Sequence, residues 1–226
     1  MTITLLMLMA IGLQAQGKKM LVTYFSWSNN TKALAEEIQR QTGADIYRIE
    51  SREAYTTDYQ TLAYSIANAE KEANARPALK DTLRTMQDYD IVFVGCPVWW
   101  FDAPMIIHSF LECEDYGGFR GKTIVPFCTF FTATYQTLND IVAATPDSQH
   151  IEGLGLRGAG SYSEATVKEW LDHIGISDIV AGIETPSTAR AGQQRGIYNL
   201  QGQRVTSLRD SAKGLYIMDG KKYLVK

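Results

Sequence analysis

A polar loop early in the chain combines side chains and backbone groups that could bind a phosphate. It follows a short apolar run and precedes a stretch with helical spacing, so its N–H groups lie at the start of a helix. Such groups point outward, and the helix dipole favours negative charge there, so no Lys or Arg is needed. The alternative is a simple helix cap provided by Asn30 or Thr31. The loop consists of Ser26, Trp27, Ser28, Asn29, Asn30 and Thr31.

A second loop carries two adjacent tryptophans, Trp99 and Trp100, after the most apolar of the predicted strands. Adjacent indoles in a loop offer an aromatic face on which a flat ligand can stack, and the nearby backbone offers polar groups. Exposing both rings without a ligand or partner is unfavourable. One of the two could instead belong to the core. The loop begins Cys96, Pro97, Val98 and continues to Phe101, Asp102, Ala103 and Pro104.

The elements that must position these loops alternate between short apolar runs and amphipathic stretches, which is typical of βαβ units and a parallel sheet. We predict an α/β fold with a doubly wound, five-stranded parallel sheet. In such sheets ligands bind beyond the carboxyl ends of the strands, where the strand order reverses. Strands are predicted at residues 20–25, 45–50, 91–95, 123–127 and 148–156, and helices at 31–41, 58–75, 105–111, 135–144 and 164–174.

Two motifs resemble the flavodoxin family. Residues 21–31 are similar to its phosphate-loop signature, with Asn29 where the family usually has glycine. Asn tolerates similar backbone angles. Residues 95–104 are similar to the family's Tyr-Pro-Ile-Trp-Trp loop. Further matches at residues 55–59, 73–80 and 121–128 follow in family order, so the resemblance extends over residues 19–175.

The resemblance implies strand order 2-1-3-4-5 and bound flavin mononucleotide (FMN). The flavin would do the redox chemistry, while the protein supplies binding, orientation and electrostatics, so no catalytic acid, base or nucleophile is expected. The implied phosphate ligands are Ser26, Ser28, Asn29, Asn30 and Thr31, and the implied ring contacts are Pro97, Val98, Trp99 and Trp100 on one side with Thr129 and Phe130 on the other.

The third loop departs from the family pattern. Cys128 and Thr129 are followed by Phe130 and Phe131, where many relatives have a run of Ser and Gly. The two rings could stack on the flavin, or they could fill the pocket and abolish binding.

The resemblance as a whole leads us to expect an electron-transfer flavoprotein or a reductase of a small quinone-type acceptor. The alternative is an exported module that has lost FMN and uses its aromatic platform as a binding protein.

The ends of the chain differ from the central domain, residues 19–180. Residues 1–16 contain an apolar run that is too short to span a membrane and fits a secretory signal, although a first strand or helix is the alternative. Residues 181–195 have linker composition. Residues 196–226 predict a β-hairpin that resembles the end of sorting domains on exported Bacteroidetes proteins, or else a small accessory hairpin. These features predict an exported, periplasmic or secreted protein.

Composition excludes several other classes of function. With 45% hydrophobic residues, 21% charged residues and a net charge of -3, the chain is an ordinary globular protein with no electrostatic reason to bind nucleic acid. Its three cysteines predict neither a disulfide framework nor a zinc site. The redox partner is not indicated by the sequence.

Overall fold

The computed structural model describes residues 18–83, 86–113, 115, 117–158 and 163–182, together with the backbone of four later strands. The chain divides into two compact units, Met1–Ile183 and Glu184–Lys226. The predicted signal peptide at residues 1–16 and nearly all of the predicted linker lie outside the described residues, so both stay predictions.

The first unit is built on one parallel sheet with the order β2-β1-β3-β4-β5, and a further short strand, β6, also pairs with β4. This confirms the predicted α/β fold and strand order. The central strands are buried on both faces, which explains their nearly continuous apolar sequences. The strands are β1 Met20–Tyr24, β2 Asp45–Arg48, β3 Ile91–Pro97, β4 Thr123–Phe130, β5 Gln149–His150 and β6 Leu154–Arg157.

The fifth predicted strand is split into β5 and β6, and Pro126 of the neighbouring β4 explains the split. Even-numbered residues of β4 direct their backbone toward this edge, since Ile124 O accepts from the Ile151 N–H and Phe130 O accepts from the Gly158 N–H. Pro126 falls on the same side and has no N–H to donate, which interrupts the ladder. The register advances from Ile124↔His150 to Phe127↔Leu154, so the edge strand gains one residue as a bulge.

Helices cover both faces of the sheet. The long predicted helix at residues 58–75 is instead a π-helix, Thr61–Ala67, that continues as α2, Asn68–Glu72. Gly43 ends α1 in a left-handed conformation and donates its N–H to Gln39 O at 2.8 Å, as its residue type predicts. The other helices are α1 Asn30–Thr42, a 3-10 turn Met86–Asp88, α3 Met105–Leu111, α4 Thr137–Ala143, α5 Glu164–His173 and α6 Ile176–Val180.

Two apolar layers sandwich the sheet. Alternate residues of β3 serve each layer: Val92 and Val94 pack with α3 on one face, while Phe93 packs toward α1 and α5 on the other. Gly95 of β3 makes room for the Phe127 ring of the paired strand β4, because a Cβ at Gly95 would lie 2.0 Å from that ring. The core thus holds the carboxyl ends of β1, β3 and β4 in fixed positions at one edge of the sheet.

The second unit contains a four-stranded antiparallel sheet with the order β10-β9-β7-β8, which is more than the single hairpin predicted for residues 196–226. Strands β9 and β10 pair from Lys221↔Met218 outward, and the two residues between them in sequence, Asp219 and Gly220, lie outside the described part of the chain. The strands are β7 Ile197–Asn199, β8 Arg204–Val205, β9 Gly214–Met218 and β10 Lys221–Val225.

Candidate functional site

The carboxyl ends of the parallel strands surround one cavity of about 730 Å³. This volume lies within the range of ligand and cofactor pockets. Eight of the eleven predicted site residues line the cavity. They are Ser28, Asn30, Pro97, Val98, Trp99, Trp100, Thr129 and Phe130. The other three, Ser26, Asn29 and Thr31, do not line it and shape the loop from which α1 starts.

The loop after β1 has the geometry of an anion site. Asn29 adopts the left-handed conformation, with φ 67°, so the Asn tolerates the backbone angles that a glycine would offer. The first helical hydrogen bond runs from the Ala33 N–H to Asn29 O at 3.0 Å, so the N–H groups before Ala33 have no acceptor within the helix. Asn29 makes no side-chain cap, and the first turn holds no acidic residue. This start of α1 is therefore open to a negative charge.

Two buried hydroxyl groups, those of Ser26 and Thr31, belong to this loop, and the Ser26 hydroxyl has no hydrogen-bond partner among the described residues. Ser26 is 3% exposed. Its carbonyl is held by the Arg48 guanidinium at 3.0 Å. Thr31 Oγ1 lies 2.8 Å from Thr129 Oγ1, which joins α1 to the end of β4. Because a buried unpartnered hydroxyl costs about 1 to 3 kcal/mol, the Ser26 side chain indicates a missing acceptor or donor.

The tryptophan loop is a tight two-residue turn. The Trp99 N–H donates to Asp102 O at 3.0 Å, and the Asp102 N–H donates back to Trp99 O at 3.1 Å. The two residues between them are left-handed, Trp100 at φ 48° and Phe101 at φ 73°, as in a type I′ turn. Asn and Gly are favoured at these positions, and each bulky residue there costs roughly 1 to 2 kcal/mol. Such strain is concentrated at functional sites.

The two indoles have different environments. The Trp99 ring packs edge-on against Phe25, with ring centroids 5.2 Å apart, and against Tyr55 at 5.3 Å, so it belongs partly to the core. The Trp100 indole N–H donates to Ala63 O in the π-helix, and its ring meets Tyr64 at 5.9 Å. One tryptophan thus anchors the loop in the core while the other forms the wall of the cavity.

The third loop leaves the cavity open. Phe131 is 84% exposed, so its ring is turned largely to solvent and does not fill the pocket. Arg157 supports this conformation, because its Nε donates to Phe131 O at 2.9 Å and its guanidinium carbon lies 5.5 Å from the ring centroid. Phe131 therefore does not block the pocket, while Phe130 forms part of its lining.

Sequence reasoning missed Arg157, the last residue of β6, and Gly158, which follows it. Arg157 is the one charged residue that lines the cavity among the described residues. Gly158 lies so close to the phosphate loop that a Cβ would be 2.7 Å from Asn30 Nδ2. Their position at the carboxyl end of a parallel strand is the signal that could have identified them. The π-helix contributes further cavity residues that the sequence did not indicate, namely Leu62, Ala63, Tyr64 and Ala67.

Charged side chains of α2 and α4 hold the tryptophan turn in place. The Lys71 ammonium donates to Trp100 O at 2.5 Å and pairs with Asp102 at 2.5 Å. The next residue, Ala103, donates its N–H to Asp140 Oδ2 at 3.0 Å. Burial raises the pKa of the Asp140 carboxyl above its ordinary value. The turn is therefore held by α2 on one side and α4 on the other.

The thiols and the acidic residues do not suggest another chemistry. Burial raises the pKa of Cys128 to about 12 and that of Cys96 well above its ordinary value, so both stay protonated near neutral pH. All three cysteines are free. Within the described ranges no three His, Cys, Asp or Glu side chains are grouped as metal ligands. None of the described helices is long and apolar enough to cross a membrane.

A doubly wound sheet with a cavity at the carboxyl ends of its strands defines a class of α/β proteins that bind their ligands at this position. Within this class the chain belongs to the flavodoxin family, whose sequence model matches residues 19–174. No curated protein matches the chain significantly.

Solved structures agree with this family. A protein provisionally named as a flavoprotein from Bacteroides eggerthii DSM 20697 is 32% identical, with a TM-score of 0.61, covering 70% of this chain and 98% of its own. A similarly named protein from Bacteroides uniformis ATCC 8492 is 31% identical, with the same TM-score, covering 70% and 99%. A flavoprotein from Lactobacillus acidophilus NCFM, crystallised with FMN, is 23% identical, with a TM-score of 0.54, covering 68% and 98%.

Proposed function

We propose that this protein binds FMN and uses it to carry electrons or to reduce a small quinone-type acceptor. The observation that carries the proposal is the buried, unpartnered Ser26 hydroxyl in the loop before α1, beside an open cavity at the switch point of the sheet. When bound, the flavin supplies the redox chemistry, and the chain contributes binding, orientation and local electrostatics.

The phosphate of FMN is held by the loop after β1. The left-handed Asn29 turns the chain so that the first N–H groups of α1 face an anion, and the Ser26, Ser28 and Thr31 hydroxyls add donors. Arg157 lines the same cavity as Ser28 and adds positive charge at its edge. The site therefore complements a phosphate mainly through backbone and hydroxyl groups.

The ring of FMN is held between the loops after β3 and β4. Pro97, Val98 and the tryptophan pair form one wall, while Thr129 and Phe130 form the other. The Val98 N–H is already bonded to Thr129 O at 3.0 Å, so the two walls are fixed relative to one another before any ligand binds. A preorganised apolar slot of this kind suits a flat, amphipathic ring.

Known structures support the same proposal. The two Bacteroides proteins carry the name flavoprotein, and the Lactobacillus protein was crystallised with FMN. A retained fold with an open cavity also speaks against the alternative of a module that has lost its cofactor.

The test is a pair of fluorescence titrations of the full chain, one with FMN and one with riboflavin, which has the same ring and no phosphate. We expect both ligands to quench tryptophan fluorescence, because Trp27, Trp99 and Trp100 line the cavity. FMN should bind at least about tenfold more tightly, since hydrogen bonds to a charged group are each worth about 1.5 to 3 kcal/mol. Equal affinities would refute the phosphate loop, and no binding of either ligand would refute the flavin site.

We further propose that the protein is exported, which the apolar run at residues 3–13 supports. Cell fractionation followed by N-terminal sequencing tests this. Recovery outside the cytoplasm with a new N-terminus near residue 16 is the expected result. An intact Met1 in the cytoplasmic fraction would overturn the proposal.

A further inference from the structure

Exposed aromatic side chains are concentrated around the cavity. Six large apolar residues of the described chain are exposed, and five of them line this cavity, whereas Val180 does not. Clustered exposed apolar surface indicates a binding site, in contrast to single residues scattered over the surface. The five are Tyr59, Tyr64, Phe101, Phe131 and Tyr135.

Four aromatic rings form what we call the aromatic recess: Tyr64, Trp100, Phe101 and Tyr135. Each ring meets the next edge to face, with centroid separations of 5.9 Å from Tyr64 to Trp100, 6.4 Å from Trp100 to Phe101 and 4.8 Å from Phe101 to Tyr135. Phe101 remains 53% exposed despite these contacts. Rings in this arrangement use their edges on one another and keep ring surface available to a flat ligand.

The recess is fixed before any ligand binds. Phe101 O accepts the Gln136 N–H at 3.0 Å, and Trp100 O accepts from Lys71 at 2.5 Å. Trp100, Phe101 and Tyr135 all have a left-handed backbone conformation with positive φ. Their side chains therefore leave the backbone in directions that are unusual for residues other than glycine. Residues held in such conformations by surrounding contacts are typical of ligand clamps.

The recess carries no net charge. Lys71 is the cation in contact with the Phe101 ring, 5.9 Å from its centroid, and it pairs with Asp102 at 2.5 Å. Arg157 is the last residue of β6, where it donates to Phe131 O. A ligand of the recess is therefore selected by shape and apolar contact, which favours an uncharged, planar aromatic molecule.

The recess is also separate from the phosphate end of the cavity. Its members come from the π-helix, the turn after β3 and the segment before α4, and none comes from the loop between β1 and α1. One cavity thus has a polar end that suits a phosphate and an aromatic end, of which Trp100 alone also belongs to the proposed flavin wall.

We propose that the aromatic recess is a second subsite, which binds an uncharged planar aromatic electron acceptor of the quinone class beside the flavin ring. This inference rests on the proposed FMN function and adds the subsite and the residues that select the acceptor. Trp100 is the wall shared by the two ligands, while Tyr64, Phe101 and Tyr135 serve the acceptor.

Phe101→Gly is the variant that tests the contribution of the recess to acceptor binding. Glycine adopts φ 73° without strain, so the substitution removes the ring and leaves the turn at least as favourable. Tyr64→Leu is a second variant, which keeps apolar volume on the π-helix and removes an aromatic face. Val180→Ala is the control, since Val180 is exposed and does not line the cavity.

The experiment is a calorimetric titration of the full chain, loaded with oxidised FMN, with menadione as the probe. We expect menadione to bind the unmodified chain and the Val180→Ala control equally, and to bind Phe101→Gly and Tyr64→Leu about tenfold more weakly. FMN affinity and the urea midpoint of Phe101→Gly should not fall.

Three outcomes would overturn the proposal. The first is absence of menadione binding to the unmodified chain, the second is equal binding by the two recess variants, and the third is competition between menadione and FMN, which would make the recess part of the flavin's own site. If the chain does not bind FMN, the proposed function fails by itself. The same titration of the FMN-free chain then decides the recess separately.

Discussion

Replacing Ser26 by alanine should make the FMN-free protein more stable and the FMN complex weaker. The Ser26 hydroxyl is buried and has no partner among the described residues, while its backbone carbonyl keeps its bond from Arg48. Ser26→Ala removes the hydroxyl alone. A side chain that exists to contact a ligand is a stability cost when the ligand is absent, which is the reason for the opposite effects.

The magnitudes follow from burial and charge. At 3% exposure the hydroxyl loses nearly all its hydration on folding, so its removal should raise the free energy of unfolding of the FMN-free chain by about 1 kcal/mol. A hydrogen bond from this hydroxyl to a charged phosphate contributes about 1.5 to 3 kcal/mol. The variant should therefore bind FMN roughly tenfold to a hundredfold more weakly.

Urea unfolding of the FMN-free chain measures the first effect, and a fluorescence titration with FMN measures the second. Thr137→Val is the matched control, because Thr137 Oγ1 is also buried and unpartnered in the described structure but belongs to α4 and not to the loop between β1 and α1. That variant should show a similar gain in stability with unchanged FMN affinity.

Two results would refute this reasoning. A loss of stability in FMN-free Ser26→Ala would mean that the hydroxyl already has a partner. Unchanged FMN affinity, with the Thr137→Val control behaving as expected, would mean that Ser26 does not face the phosphate.

Three further predictions concern hydrogen-bonded and ionised side chains. Thr31→Val should lower the free energy of unfolding by about 1 to 3 kcal/mol, because it leaves the buried Thr129 hydroxyl without its hydrogen bond. The double variant that also carries Thr129→Val should recover most of this loss in urea unfolding. Additive losses in the double variant would contradict the Thr31–Thr129 bond. Burial raises the pKa of Asp140 in the folded chain, so the stability that its protonated form provides is lost as the pH rises through this pKa. Asp140→Asn should therefore raise the free energy of unfolding more at about pH 7 than at about pH 3. Asp172, whose pKa is lowered by Lys168, should behave oppositely: the stability it adds is present at about pH 7 and lost as the pH falls, so Asp172→Asn costs stability only at the higher pH. Equal pH profiles for the two variants would contradict both assignments.

Local sequence determined the elements and the loops between them. Apolar runs such as 91–95 fixed the buried strands because a strand covered on both faces must be apolar throughout. Gly43 ended α1, and Asn29 supplied the left-handed turn before it, because few other residues adopt positive φ at low cost. Since parallel strands end at one edge, the three loop sequences were enough to place eight predicted residues around a single cavity.

Tertiary structure decided everything that depends on two distant segments meeting. Pro126 split the edge strand only because its missing N–H faces that strand. Trp100 and Phe101 adopt a turn that their residue types disfavour, because Lys71, Gln136 and the core contacts of Trp99 hold them there. Arg157 likewise came to the cavity through strand pairing.

The state of the third loop is the clearest case. Its sequence was compatible with a blocked pocket or an open one, because the direction of a phenylalanine ring depends on its neighbours in space. The bond from Arg157 to Phe131 O, made between residues 26 positions apart, selected the open form. Sequence patterns specify periodicity and backbone preference locally, whereas the shape of a cavity is set by contacts between segments that are remote in the chain.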